Sequence, residues 1–348
     1  MNPTPLSRRR FLHSTLGTSL ALASVQQEVS AAAPSKIRLG TLVPKGSSYY
    51  RHLQTMGEAW RKASNGTITL TIYPDGSMGG EAEMVRRIRQ GQLQAGLLTG
   101  VGLTLIEPGV SGLQNMPMMF RDLEDVDYVG EKMRPMMEKR LEDKGFKVLF
   151  WGDAGWVRFF TRSQIQTPDD LKKLKLFVWA GDPDQFALMR DLGLKPVGLE
   201  TNDILPGIKT GLIDAVPMPP FVALAAQMDT AAPHMLALNY GPLVGAAVVS
   251  KSVWDAVPEA TRVELMKAAT MAGNAIKLAS RKEADEAVAA MEKRGLKVHK
   301  PSASDEAAWH ELMNQAYPRI RGKIVPEDIF DEVKKLLEAR HAEKAQKS

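Results

Sequence analysis

The sequence predicts an α/β protein of two lobes spanned by a long bracing helix. Three observations carry this. Strand-like alternation and helix-like periodicity take turns from residue 36 to residue 98, the order that builds a mostly parallel sheet. The same alternation restarts after about residue 155. Residues 258–293 then form one unbroken helical pattern dense in Ala, Glu, Lys, Leu and Met. Such a helix reaches roughly 50 Å, further than one small domain is wide.

In order, residues 36–42 alternate as a first strand, and residues 49–63 read as an amphipathic helix stopped at Asn65-Gly66. Residues 67–73, rich in Thr and Ile with period two, are a second strand turned by Pro74-Asp75-Gly76. A helix over 81–89 stops at Gly91, and 95–98 is a short buried strand. Residues 122–144 are helical, and 147–151 and 157–161 are two further strands. Thr167-Pro168-Asp169-Asp170 opens a helix with a capping hydroxyl, Pro at the first position and acids at its positive end. Strands over 174–178 and 212–216 flank helices over 183–192 and 204–210. A strand at 244–249 precedes the long helix, and residues 304–344 read as two more helices.

The chain has 348 residues, 44 % of them apolar and 24 % charged, an ordinary balance for a globular protein. Its start is less ordinary. Ser7-Arg8-Arg9-Arg10-Phe11-Leu12 precedes a short apolar run over 16–25 and the small residues Ser30-Ala31-Ala32-Ala33. Charged start, apolar middle and small-residue cleavage zone make an export signal, here of twin-arginine type, over residues 1–32. The expected workplace is the periplasm. Removing residues 1–31 takes away three Arg and one Glu and lowers the formal net charge from +5 to +3. That excess is spread along the chain, so no nucleic-acid partner is expected.

There is no cysteine, which excludes disulfides, thiolate metal sites, thiol catalysis and a lipid-modified cysteine anchor. The six His share no helix face, and no HExxH, GxSxG or GxxxxGK[ST] string occurs. No catalytic residue, metal site or cofactor is therefore expected.

Three stretches carry a family likeness: Tyr73 to Glu81, reading YPDGSMGGE and followed by Gly91-Gln92-Leu93-Gln94-Ala95; Gln114 to Asp122, reading QNMPMMFRD; and Arg158-Phe159-Phe160-Thr161 through Thr167 to Lys175 and on to Gly211-Leu212-Ile213-Asp214. In order and spacing, over nearly the whole mature chain, they resemble the solute-binding subunits of TRAP transporters, the DctP-type family. The resemblance implies a periplasmic-binding-protein-like fold, two α/β lobes around a central cleft. It places lobe I at 33–155 plus 241–285 and lobe II at 156–240 plus 286–348. It implies a receptor, not an enzyme, that closes on a small organic solute and delivers it to the membrane subunits of an ion-driven TRAP permease.

The chain departs from the family pattern where the solute is held. Relatives that bind organic acids carry an Arg that pairs bidentately with the solute carboxylate; this sequence has Phe177 there. The family's "E-N-P" segment reads Pro217-Met218-Pro219, so an amide is replaced by Met218. Phe177, Trp179 and Met218 thus make a drier cleft, suited to a monocarboxylate or a solute with an apolar or aromatic part. Arg158 keeps the other cationic position of the pattern and is a candidate for a polar end of the solute, or else for a structural ion pair. Tyr49 and Tyr50, following the first strand, Gly100 in the loop after 95–98, and Trp156 before the crossover complete the candidate ligand contacts. For the apolar candidates ordinary core packing is the competing reading. A periplasmic enzyme or a non-transport sensor on the same scaffold is the competing function.

Overall fold

The computed structural model describes residues 36–347; the export-signal reading of residues 1–32 lies outside them. In chain order the first elements are β1 (Lys36–Thr41), α1 (Ser48–Ala63), β2 (Thr69–Tyr73), α2 (Glu81–Arg89), β3 (Ala95–Thr99), α3 (Gly100–Thr104) and α4 (Leu123–Asp143). Next come β4 (Phe146–Thr161), α5 (Pro168–Leu171), β5 (Lys175–Trp179), α6 (Pro183–Asp191), β6 (Lys195–Leu199), α7 (Thr201–Thr210), β7 (Ala215–Met218) and α8 (Pro220–Ala225). The chain ends with β8 (His234–Ser250), α9 (Lys251–Asp255), α10 (Glu259–Glu292), β9 (Lys297–His299), α11 (Ala303–Ile320) and α12 (Glu327–Lys347).

Among the described residues one sheet runs β2-β1-β3-β8-β4-β7-β5-β6, with β9 beside β8. Each flank is parallel: β1 pairs with β2 and β3, and β5 with β6 and β7. The centre is antiparallel, β8 against β3 and β4, and β4 against β7. The alternation therefore gives two α/β halves as expected, but they share two long strands. The expected strands at 147–151 and 157–161 are one strand, β4. The strand expected at 244–249 begins at His234. Backbone pairing persists where the side-chain pattern breaks, at Gly152 and Asp153, and resumes at Trp156 after a bulge at Ala154 and Gly155. Gly155 takes φ +73°, a region open to glycine at little cost, and the register slips between Asp153 and Trp156.

β6 escapes a hydrophobic-pattern reading because Pro196 and Gly198 interrupt it. It lies at one end of the sheet order, where a missing N–H is tolerated.

The long helix is where the composition predicts it. Helix α10 packs on α1, where the Trp60 indole donates to the Leu265 carbonyl at 2.9 Å. At its far end it places Met291 in a core with Phe160, Phe177 and Met218. Helix α1 presents Tyr49, Leu53, Met56 and Trp60 as its buried face and is capped by Ser47, which accepts from the Tyr50 N–H. The last helix folds back on α4: Arg340 Nε and His341 Nε2 lie 2.9 and 2.8 Å from the oxygens of buried Asp125. Although burial pushes it upward, the bonds from His341, the Arg121 N–H and Arg340 hold the Asp125 carboxyl at about 2.

Candidate functional site

The parallel strands β1, β3, β5 and β7 all end toward one crevice, where the loops that follow them meet. A cavity of about 420 Å³ lies there. One wall comes from Thr41 to Pro44 after β1 and Leu97 to Thr99 of β3; the opposite wall comes from Leu176 to Trp179 of β5 and Pro217 to Pro219 at the end of β7. The middle of β4 and Tyr240 to Gly245 of β8 form the floor. The cavity continues into the second half, where Leu188, Met189, Trp309, Leu312 and Met313 line it.

Four sequence-predicted residues line this cavity: Tyr49, Phe177, Trp179 and Met218. Phe177 is 2 % exposed, its ring edge-on to Trp179 with centroids 4.9 Å apart. Tyr49 stacks flat on Phe221 of α8, and its phenol donates to the Asp153 carbonyl. Burial pushes that phenol well above its ordinary pKa. The Ser280 hydroxyl of α10 donates to the same carbonyl at 2.8 Å. The Asp153 carboxylate takes Arg281 of α10 at 2.8 Å, and Arg281 also grips Asp127 of α4. The bulge of β4 is thus tied to α1, α4 and α10 together.

Tyr50, Gly100, Trp156 and Arg158 are not part of the wall among the described residues. Tyr50 lies on the first turn of α1, where its N–H meets the Ser47 cap. Gly100 is packed on Gln114, whose side-chain oxygen accepts its N–H at 3.3 Å. Trp156 packs half-buried beside the core of the second half. Arg158 sits in register with Met218. Opposite residues of an antiparallel pair share a face, so Arg158 lies on the same side of the sheet as Met218 and Phe177. Its Nη2 lies 3.4 Å from Asn239 Oδ1, and its buried Nε has no partner among the described residues. Burial lowers its pKa, against the nearby charge of Asp285.

The polar groups at the crevice were not anticipated. Buried Glu81 accepts from the Thr99 N–H at 2.6 Å, the Thr99 hydroxyl at 2.7 Å and the Gly102 N–H at 2.7 Å, while burial pushes its carboxyl upward. Asp182 caps α6 through the Gln185 N–H at 3.0 Å, and burial raises it as well. Gln114 accepts the N–H groups of Gly100 and Val244. The one available signal was position: Glu81 ends the Gly79-Gly80 turn, and Gln114 opens the Met-rich segment. No cluster of three His, Asp or Glu suited to a metal ion occurs among the described residues.

The family model for bacterial extracellular solute-binding proteins, family 7 (DctP), matches residues 39–323. The C4-dicarboxylate-binding periplasmic protein DctP of Rhodobacter capsulatus is 25 % identical over 329 residues, 92 % of this chain and 96 % of that protein. A TRAP periplasmic solute-binding protein of Ralstonia eutropha H16, solved with bound (S)-2-acetolactate, matches with TM-score 0.81 at 22 % identity, over 88 % of this chain and 99 % of that one. Another, from Sulfurospirillum deleyianum with bound succinate, matches with TM-score 0.80 at 18 % identity, over 87 % and 99 %. These likenesses establish the fold as two α/β lobes around a central cleft.

Proposed function

Because the chain belongs to the bacterial extracellular solute-binding proteins of family 7, we propose that it is a periplasmic receptor that traps a small organic solute in this cleft. It delivers the solute to the membrane subunits of a TRAP-type permease and does no chemistry on it. Hinge motion within β4 and β8 separates the lobes, 33–155 plus 241–285 and 156–240 plus 286–348. Closure around a solute is a two-state motion, and crevices between α/β lobes are favoured ligand sites. The Arg8-Arg9 pair directs export; Lys-Lys in its place is expected to leave the protein in the cytoplasm.

Relatives are named for, or hold, small organic acids: a C4-dicarboxylate, succinate, acetolactate. This cleft departs from a site of that kind. Phe177, Trp179 and Met218 line it, and this trio carries the reading: the solute is a monocarboxylate or a compound with a substantial apolar or aromatic part. A thermal-shift screen tests it, since a ligand that binds only the folded state raises the midpoint by mass action. Hydrophobic or aromatic solutes are expected to raise it and succinate to leave it unchanged. A large shift with succinate and none with apolar solutes would reverse the reading.

A further inference from the structure

The receptor reading makes no use of the outer face of α10. We infer that this face is a self-association surface: it binds the same face of a second copy of this chain, the two helices antiparallel across a two-fold axis beside Thr270 and Met271.

The inner face of α10 buries Leu265, Ala269, Ala272, Gly273 and Ile276. Three of the six large apolar side chains left exposed among the described residues lie on its other side: Val263, Met271 and Leu278, at 49, 72 and 73 % exposure. At about 100° per residue these three fall within an arc of about 80°, so they form one stripe. Single exposed apolar side chains are ordinary, but a stripe beside a groove marks a contact surface. Such a groove, about 770 Å³ and open, runs along the N-terminal half of the stripe between Trp254 of α9 and Val263, Met266, Thr270 and Met271. The C-terminal end of the stripe carries a projecting side chain instead, Leu278.

This surface is complementary to itself. A two-fold contact brings together positions equally far from the axis. Val263 lies seven residues before Thr270 and Leu278 seven after Met271, so each copy's Leu278 enters the other's groove at Val263. Lys267 and Asn274, each three residues from the axis, face each other and give the seam one polar pair, the ammonium donating to the amide oxygen, which fixes register. Glu264 and Lys282 are 18 residues apart, about five full turns, and point the same way. In the antiparallel pair they lie along one edge of the seam, the acid of one copy beside the lysine of the other. Glu264 holds Lys267 within its own chain at 2.7 Å, while Lys282 is 79 % exposed and only 3.8 Å from Glu286, so its ammonium can turn to the second copy. A parallel pairing would set Leu278 against Leu278 and leave the groove empty. The stripe is about 22 Å long, and one helix pair of that length buries less than the roughly 800 Å² per partner of a standard interface. The association is therefore reversible, with a dissociation constant on the order of micromolar.

Sedimentation equilibrium of the mature protein from about 1 to about 200 µM tests this. The mass is expected to rise with concentration from one chain toward two. Leu278→Glu is expected to weaken the dimer at least about tenfold and to leave the thermal midpoint of the dilute protein unchanged, because the side chain is exposed. Glu264→Lys is expected to weaken it several-fold, and Lys282→Glu in the same chain to restore it. Because the chain has no cysteine, Thr270→Cys supplies a single thiol beside the axis. Oxidation is expected to join it to its counterpart in the second copy, while Glu338→Cys on α12 stays unlinked. A protein that remains monomeric at every concentration overturns the inference. So does a dimer indifferent to Leu278→Glu, or a Thr270→Cys variant that crosslinks no faster than Glu338→Cys. A double variant as weak as Glu264→Lys alone overturns the antiparallel arrangement. None of these results bears on the receptor reading, which solute binding tests separately.

Discussion

The rings of Tyr49 and Phe221 lie 5.5 Å apart between centroids and 4° from parallel. Tyr49 belongs to α1, after the first strand, and Phe221 to α8, after β7. Both line the cleft, so this stack joins the two halves across it. Parallel aromatic pairs contribute about 0.5–1.5 kcal/mol beyond their buried area. Phe221→Leu keeps most of the apolar area and removes the stack. It is expected to favour the open form and to weaken solute binding roughly two- to tenfold, measured by titration of whichever solute raises the midpoint. An unchanged affinity would show that the stack forms equally in both states.

Phe177 stands where acid-binding relatives of the resembled pattern carry the clamping arginine. Phe177→Arg should convert the site. The new guanidinium, buried among Phe160, Met218 and Met291, is expected to lower stability by on the order of 3 kcal/mol. Succinate, expected to leave the parent unmoved, should then raise the midpoint of the variant by bidentate pairing. A stable variant that still ignores carboxylates would mean that residue 177 does not face the solute.

Arg158→Gln is expected to weaken binding of a solute with a carboxylate or other polar end about tenfold or more, because Arg158 shares a sheet face with cleft-lining Met218 and its Nε has no partner among the described residues. A change of less than about twofold would assign it a structural role.

Arg281 holds two carboxylates, Asp153 at the bulge of β4 and Asp127 of α4, each at 2.8 Å. Arg281→Met leaves the Asp153 side chain, only 7 % exposed, without a cation, and is expected to cost about 3 kcal/mol in urea unfolding. Adding Asp153→Asn should recover part of that loss, since the uncompensated charge is then gone.

Asp125 makes folding pH-dependent in acid. Its folded carboxyl titrates at about 2, against roughly 3.9 for an unfolded Asp. A lowered carboxyl contributes stability that is complete above the unfolded value and disappears as pH falls toward the folded one. Asp125→Asn should therefore be less stable than the parent at pH 7, with the gap closing between about pH 4 and pH 2. A constant gap across that window would mean that packing, not charge, is what the substitution removes.

Much of the architecture is legible in the sequence because it follows from repeating chemistry. The bracing helix is written in its own composition, and β1, β2 and β3 alternate visibly. The continuity of β4 and β8 is not legible. Gly152, Gly155, Gly241 and Gly245 contribute no side-chain pattern, and only the partner strand shows that pairing persists through them. At the site, Phe177 and Met218 are recognisable because they replace polar residues of the resembled pattern, and Tyr49 because it follows a strand end. Gln114, Thr201 and Glu81 give no such signal. An amide, a hydroxyl or a buried acid becomes a site group only through what surrounds it. Arg158 is legible by type as an anion-site residue, and its register with Met218 puts it on the sheet face that Phe177 shares.

The most direct test is a crystal structure of the mature protein grown with the solute that raises its midpoint furthest. The account predicts a closed form with the apolar part of the solute in van der Waals contact with Phe177 and Met218. Density for a solute that leaves Phe177 and Met218 facing water would contradict it.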